Sequence, residues 1–313
     1  MRKGVKYLKL VKRPLGVRGM SNLIDPKILM SIKDLSLAAK TTIDGFMAGI
    51  NKSSVKGPGL EFNQYRTYQP GDDLRWLDWK MFARSDRYYI RESEVETSIS
   101  IKFLIDASAS MNHEDNSFKK IAYARYLAAS LGYLANMQSD AIGLYVFQNG
   151  NLFSLPSGRS HHHLNRFFFQ LENIEPSGKF TEPIQYKEIF AGARQKELLI
   201  FVTDFYQQDK EISALLDSMS SLRHEIIVFH ILGNNEVEMD FKGYAALEDL
   251  ETGETVQIDA AQMKAYKERL QQHLASIRIQ LLDKGIYYKL MKMNQPLDEA
   301  LRDFLNQRNK LRA

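Results

Sequence analysis

The sequence predicts an α/β protein: a doubly wound, mostly parallel sheet with a helical and aromatic-rich attachment on its N-terminal side. Three observations predict it. From residue 98 onward strand-like and helix-like stretches alternate, the pattern of βαβ units. Two uninterrupted apolar runs, Leu198 to Val202 and Ile226 to Leu232, read as strands covered on both faces. Asp106 and Asp204 stand directly after strand signals, and in an open parallel sheet ligands gather outside the carboxyl ends of the strands. The chain has 313 residues, 44% hydrophobic and 26% charged, which supplies one sizeable core and excludes a disordered or collagen-like composition.

Residues 1–25 read as a basic arm, 26–96 as the attachment, 97–292 as the sheet domain and 293–313 as a C-terminal helix. In the attachment, Ile28, Ile32, Leu35 and Ala39 recur at helical spacing over residues 26–50, and the Gly/Ser/Lys stretch 49–59 reads as a hinge. A dense segment around the Pro70-Gly71 turn holds both tryptophans, Trp76 and Trp79, which is more aromatic surface than linkers carry. The first strand of the sheet domain covers 98–105. Its helix, 117–137, sets Ile121, Ala124, Ala128, Leu131 and Ala135 on one face, and strands follow at 141–147 and 152–155. Helices at 161–171 and 186–194 lead to a strand at 198–203, and a helix at 210–222 leads to a strand at 225–232. A hairpin is expected over 244–258 around Thr252-Gly253. A helix through Met263, Tyr266, Leu270, Leu274, Ile277 and Leu281, a strand at 287–291 and a helix at 297–306 finish the chain.

No apolar run approaches the length of a membrane span. The N-terminus lacks the apolar core of a secretory signal, which predicts a cytoplasmic protein. Zero cysteines exclude disulfides, a thiolate zinc site and a cysteine nucleophile. The formal charge of +4 is uneven: Arg2, Lys3, Lys6, Lys9, Lys12, Arg13 and Arg18 precede the first acid, Asp25, and outweigh the whole net charge. A general nucleic-acid surface is therefore not indicated. Any contact with anionic lipid or phosphate belongs to the arm, whose plain reading is a solvated tail.

The chemistry centres on Asp106-Ala107-Ser108-Ala109-Ser110. A loop leaving a strand brings alternate side chains to the same side, which gathers one carboxylate and two hydroxyls around a point. Such an all-oxygen set suits a hard cation, magnesium above all, with manganese or calcium as substitutes. The alternative is structural: Ser108 and Ser110 cap the next turn and Asp204 caps the helix after its strand.

Asp-x-Ser-x-Ser after a first strand, followed by Thr-Asp after a later central strand, resembles the metal-ion-dependent adhesion site of von Willebrand factor A domains. Upstream, Tyr65-Arg-Thr-Tyr-Gln-Pro-Gly-Asp-Asp-Leu-Arg-Trp-Leu-Asp-Trp-Lys-Met-Phe-Ala-Arg84 resembles the signature of the family called domain of unknown function 58. These are von Willebrand A-like proteins often associated with MoxR-type AAA+ ATPases. The resemblance implies a Rossmann-type, von Willebrand A-like sheet and an ion held directly by Ser108 and Ser110, with Asp106 and Asp204 holding it directly or through water. It also implies a threonine from an intervening loop. Thr181 is the best match, although two residues separate it from Gly178 where the usual spacing is tighter. Phe205 stands where many adhesion-type domains have glycine. An ion held largely by neutral hydroxyls keeps much of its charge and an exchangeable water, so it attracts an external Asp or Glu from a protein partner. The function implied is a non-enzymatic adaptor or co-chaperone of a MoxR-type ATPase, with no small-molecule substrate.

A metal-dependent phosphoester hydrolase using Asp106 and Asp204 is the competing reading. A haloacid-dehalogenase-type phosphotransferase needs an aspartate where Ser108 stands, and no Gly-x-x-x-x-Gly-Lys-Ser/Thr loop occurs. His113 reads as a surface group. His161, His162 and His163 sit roughly 100° apart on a helix and do not converge on one ion, with Ser160 as a cap. Phe167, Phe168 and Phe169 read as core. Arg66, Arg75, Arg84, Tyr65, Tyr68, Trp76 and Trp79 have the makings of a stacking platform, but the interleaved Asp72, Asp73 and Asp78 favour a structural clamp on the sheet.

Overall fold

The computed structural model describes residues 34–52, 64–69, 77, 79–85, 87–92, 98–180, 196–206, 210–222, 224–238, 245–248, 255–258 and 260–312. In chain order the elements begin with α1 (Leu35–Lys52), β1 (Gln64–Thr67), α2 (Trp79–Ser85), β2 (Tyr89–Glu92) and β3 (Ser100–Asp106). Next come β4 (Glu114–Asp115), β5 (Phe118–Lys119), α3 (Lys120–Met137), β6 (Ala141–Gln148), β7 (Asn151–Gly158) and α4 (His161–Glu172). Then follow β8 (Leu198–Thr203), α5 (Glu211–Ser220), β9 (Glu225–Leu232), α6 (Asn234–Glu238), β10 (Ala245–Glu248) and β11 (Thr255–Ile258). Finally α7 (Ala260–Asp283), β12 (Tyr287–Lys292) and α8 (Asp298–Arg312) close the chain.

Six strands form the main sheet in the order β12-β9-β8-β3-β6-β7. The five from β12 to β6 are mutually parallel, and only β7 runs antiparallel, along β6. The chain steps from β3 outward to β6 and β7, then returns to β8 on the other side of β3. Strand order therefore reverses between β3 and β8, which makes the carboxyl ends of these two strands the crevice of the fold.

Successive side chains of a strand face opposite ways, and both faces of this sheet are covered. Ile101, Phe103, Ile105, Ile200, Val202, Phe229 and Ile231 pack with residues of α1, α3, α4 and α8. Leu104, Leu199, Phe201 and Val228 pack on the other face with α5 and with Ile277 and Leu281 of α7. Double coverage explains why β8 and β9 are almost continuously apolar. It also confines Lys102, buried on the second face, to a 2.6 Å ion pair with Glu197.

The structure departs from the sequence expectations at several places. The helix expected from 117 starts at Lys120, because Asn116 and Ser117, with φ of 53° and 69°, form the tight turn of a small β4–β5 hairpin. The strand expected at 152–155 spans Asn151–Gly158, launched by the Asn149-Gly150 turn, and as the sheet edge it tolerates Pro156. Helix α1 runs through Gly49 to Lys52, so the first part of the expected hinge is helical; residues 53–59 lie outside the described residues. The last helix extends to Arg312 rather than 306, since Arg308 is buried against Asp140. Phe169 is not core: it is 61% exposed, while Phe167 and Phe168 are buried. The expected hairpin is β10–β11, with its turn outside the described residues, as is the helix expected at 186–194.

Candidate functional site

The register of the sheet builds the site. Ile105 of β3 pairs with Val202 of β8, so Asp106 and Thr203 emerge side by side and Asp204 one residue beyond. Thr203 Oγ1 donates to Asp106 Oδ2 at 2.7 Å. The other Asp106 oxygen accepts the Ser108 N–H at 3.0 Å and the Ser108 hydroxyl at 2.8 Å, which folds the loop back over the strand end. Ser108 leads into a 3₁₀ turn, Ala109–Asn112, yet its side chain makes no capping bond there. Ser108 Oγ lies 2.9 Å from Ser110 Oγ, and Ser110 Oγ donates to Asp204 Oδ1 at 3.1 Å. All four side chains are buried.

The loop is buttressed from below. Ala109 N–H donates to the Gly178 carbonyl at 2.8 Å and Ser177 N–H to the Ala107 carbonyl at 3.0 Å. Gly178 has φ of +66°, and a Cβ there would lie 2.4 Å from Asn149 Oδ1, so only glycine fits between the Asn149-Gly150 turn and the loop it supports. Across the site Phe205 also sits in the left-handed region, with φ of 59°. Here the aromatic ring tolerates the strain by burial, against the ring of His230 at 5.5 Å, while its N–H donates to Thr203 Oγ1.

The electrostatics are unequal. Burial, and then the negative charge of Asp204, push the Asp106 carboxyl from 3.8 up to about 7, against the bonds from Thr203 and Ser108. Asp204 is opposed by burial but is held below the ordinary carboxylate range by the Lys120 ammonium and by the bonds from Tyr206 and Ser110. Lys120 Nζ lies 2.9 Å from Asp204 Oδ2 and 2.8 Å from Glu236 Oε1. Burial would depress this amine, but the two carboxylates raise it. His230 completes the set. Its Nε2 is 2.9 Å from the Asp204 carbonyl, which can only accept, so Nε2 carries the proton and Nδ1 accepts from Tyr288 OH. Burial pulls this imidazole down to about 4.

Asp106, Ser108, Ser110 and Asp204 are thus brought together, each serine bonded to one of the acids and the two hydroxyl oxygens 2.9 Å apart, and the capping alternative for the serines does not describe them. Thr181 lies outside the described residues. Sequence reasoning missed Thr203 as the clamp on Asp106, and it missed Lys120, Glu236 and His230. Lys120 follows Lys119 at the mouth of a helix and has no sequence mark that separates it from a surface lysine. The donor chemistry fits a hard cation: Ser108 directs its proton to Asp106 and Ser110 to Asp204, which leaves oxygen lone pairs available. Among the described residues no group of three or more His, Cys, Asp or Glu side chains converges as metal ligands, so any such ion would depend on hydroxyl oxygens.

The other candidates separate from the site chemically. The His113 imidazole is half-buried with Nε2 2.9 Å from Asn235 Oδ1, and only the backbone N–H of His113 meets a serine, the Ser110 carbonyl at 3.0 Å. Ser160 caps α4 by accepting the His163 N–H, and His163 Nε2 donates to the Ile142 carbonyl, leaving His161 and His162 exposed. Of the clamp expected from the aromatic segment, Asp72, Asp73, Arg75, Trp76 and Asp78 lie outside the described residues, and so do the side chains of Tyr65 and Arg66, while Leu77 is buried. Trp79 is 62% exposed and meets Phe82 edge-on, Phe82 stacks on Tyr88 at 4.5 Å, and Arg84 is exposed. Among the described residues no helix is long and apolar enough to cross a membrane.

The structure is similar to BatB from Bacteroides thetaiotaomicron, with a TM-score of 0.43 and 15% identity over 68% of this chain and 100% of that one. It is also similar to the SpRpn10 VWA domain, with a TM-score of 0.38 and 13% identity over 67% of this chain and 95% of that one. In sequence, an uncharacterized protein of Mycobacterium tuberculosis, Rv1480, is 25% identical over 247 residues, covering 78% of this chain and 77% of the relative. The pattern of the family described as protein of unknown function DUF58 matches residues 64–278, a span that contains the upstream signature, the Asp106 loop and the β8 carboxyl end. The chain belongs to the DUF58 family.

Proposed function

We propose that this protein is a non-enzymatic interaction module that uses a divalent cation, magnesium in the first place, to capture a carboxylate of a partner protein. One observation carries the reading. Asp106 is wholly buried, and its partners among the described residues are neutral donors: the Ser108 N–H and the hydroxyls of Ser108 and Thr203. A buried carboxylate so placed gains more from a cation than from any neutral group.

Asp106, Ser108, Ser110 and Asp204 would hold the ion, with Thr181 as a further donor. Support for Thr181 comes from the described residues before it: residues 177 and 178 are bonded to the Asp106 loop and Phe180 is buried. When bound, the ion supplies a positive centre that accepts an external carboxylate. The chain does the rest. Thr203 fixes the Asp106 carboxylate, the serine protons are taken up by Asp106 and Asp204, and burial of all four side chains weakens screening by water. The resemblance of residues 65–84 to its family supports a MoxR-type AAA+ ATPase as the partner and an adaptor or co-chaperone role.

The test is capture from the native cell in magnesium and in chelator, comparing wild type with Asp106→Ala, alongside direct Mn²⁺ titration of both. A set of proteins lost in chelator and in the variant is expected, together with Mn²⁺ uptake that needs Asp106. Identical sets in every arm would overturn the reading, and phosphoester turnover abolished by Asp204→Ala would replace it with a hydrolase.

A further inference from the structure

We infer that Lys120 is a positioning residue of this site, a tethered ammonium that spends its charge on Asp204 and so leaves Asp106 as the carboxylate of the pair with no cationic partner among the described residues, the one a divalent ion would neutralise. Glu236 sets how much of that charge Asp204 receives. The inference rests on the ion-dependent reading above and assigns the internal regulation of the ion's charge.

The geometry is specific. Lys120 is the first residue of α3, and its Nζ is almost wholly buried between Asp204 Oδ2 at 2.9 Å and Glu236 Oε1 at 2.8 Å. Asp204 has no idle oxygen, since its Oδ1 takes the Ser110 hydroxyl at 3.1 Å and the Tyr206 N–H at 3.2 Å. Glu236 is fixed as well: its Oε2 accepts the Gly233 N–H at 2.7 Å, and His113 Nε2 lies 3.8 Å away. The acid, the amine and the second acid therefore come from the end of β8, the start of α3 and the short helix α6, held in a row that ends at the serine pair.

Two free carboxylates would quench most of a dication's charge and weaken its pull on a third, external one. A cation already bound to Asp204 prevents this. The ion is held less tightly, but it keeps more charge for the partner's acid. Glu236 moderates the effect, because an ammonium shared between two carboxylates neutralises neither completely.

Mn²⁺ binding to the full chain, followed by electron paramagnetic resonance, tests the assignment, with folding checked by circular dichroism. Lys120→Met is expected to bind Mn²⁺ about tenfold tighter or more, because the Asp204 carboxylate loses its paired ammonium and its charge becomes available to a bound cation. Its Mn²⁺-loaded form is expected to bind acetate, used as the probe carboxylate, several-fold more weakly than wild type. Glu236→Gln, which keeps an acceptor for Gly233, is expected to bind Mn²⁺ more weakly, as the whole ammonium charge falls on Asp204. If Lys120→Met does not fold, Glu236→Gln decides: weaker Mn²⁺ binding supports the assignment, and equal or tighter binding overturns it. Mn²⁺ uptake that needs Asp106 but ignores both substitutions overturns the role of Lys120 and leaves the ion reading intact. No Asp106-dependent uptake in any variant overturns both.

Discussion

The Thr203 hydroxyl donates a 2.7 Å hydrogen bond to Asp106 Oδ2, joining the carboxyl ends of two parallel strands at the place where strand order reverses. The same oxygen accepts the Phe205 N–H at 2.9 Å, so one side chain fixes the carboxylate and shapes the turn that presents Asp204. Thr203→Val keeps the shape and removes both bonds. Each leaves a buried polar group short of a partner, so the variant is expected to lose about 2–3 kcal/mol in urea unfolding, with Thr203→Ser close to wild type. A valine variant as stable as wild type would show that neither bond contributes.

A second buried pair anchors the end of the chain. Arg308 of α8 donates through Nε to Asp140 Oδ2 and through a terminal nitrogen to Asp140 Oδ1 at 2.9 Å, and Asp140 Oδ1 also accepts the Ile99 N–H at 3.1 Å. The pair thus ties the C-terminal helix to the entry of β3, at the opposite end of the sheet from the site. Arg308→Met leaves a buried carboxylate without its cation and is expected to cost about 3–5 kcal/mol. Asp140→Asn combined with Arg308→Met removes the orphaned charge and is expected to recover part of that loss. Equal stability of the single and double variants would mean that the charge is not what the arginine offsets.

How far the sequence could be read depended on where the information lay. Strands β8 and β9 declared themselves because coverage on both faces leaves little room for polar residues, and the acids after β3 and β8 stood out against those apolar runs. Asp106, Ser108 and Ser110 lie within five residues of one another, so local spacing was enough to group them. Lys120, Glu236 and His230 join the site only through the packing of α3, α6 and β9, and no local pattern marks a lysine whose partners are 84 and 116 residues away. The β4–β5 hairpin was hidden because its turn is Asn116-Ser117, where the left-handed conformation is adopted without a glycine to announce it. Phe169 misled because three consecutive phenylalanines on a helix cannot all face inward.

The site's own titrating groups give a final prediction, in which two opposite slopes conceal each other. His230 is buried and neutral, with its ionisation pulled from 6.5 down to about 4 by burial. Between these values the unfolded chain takes up a proton that the native state refuses, so this group's stability is lost as pH falls. Asp106 is pushed from 3.8 up to about 7, first by burial and then by Asp204. Over that range the native state keeps a proton that the unfolded chain releases, so this group's stability is lost as pH rises. In chelator the two contributions oppose each other between about pH 4.5 and 6.5. Relative to wild type, Asp106→Asn is therefore expected to gain stability as pH rises through this window, and His230→Gln to lose it. Urea midpoints at intervals across the window measure both slopes. If the two variants tilt in the same direction, at least one of these groups does not titrate in the environment described for it.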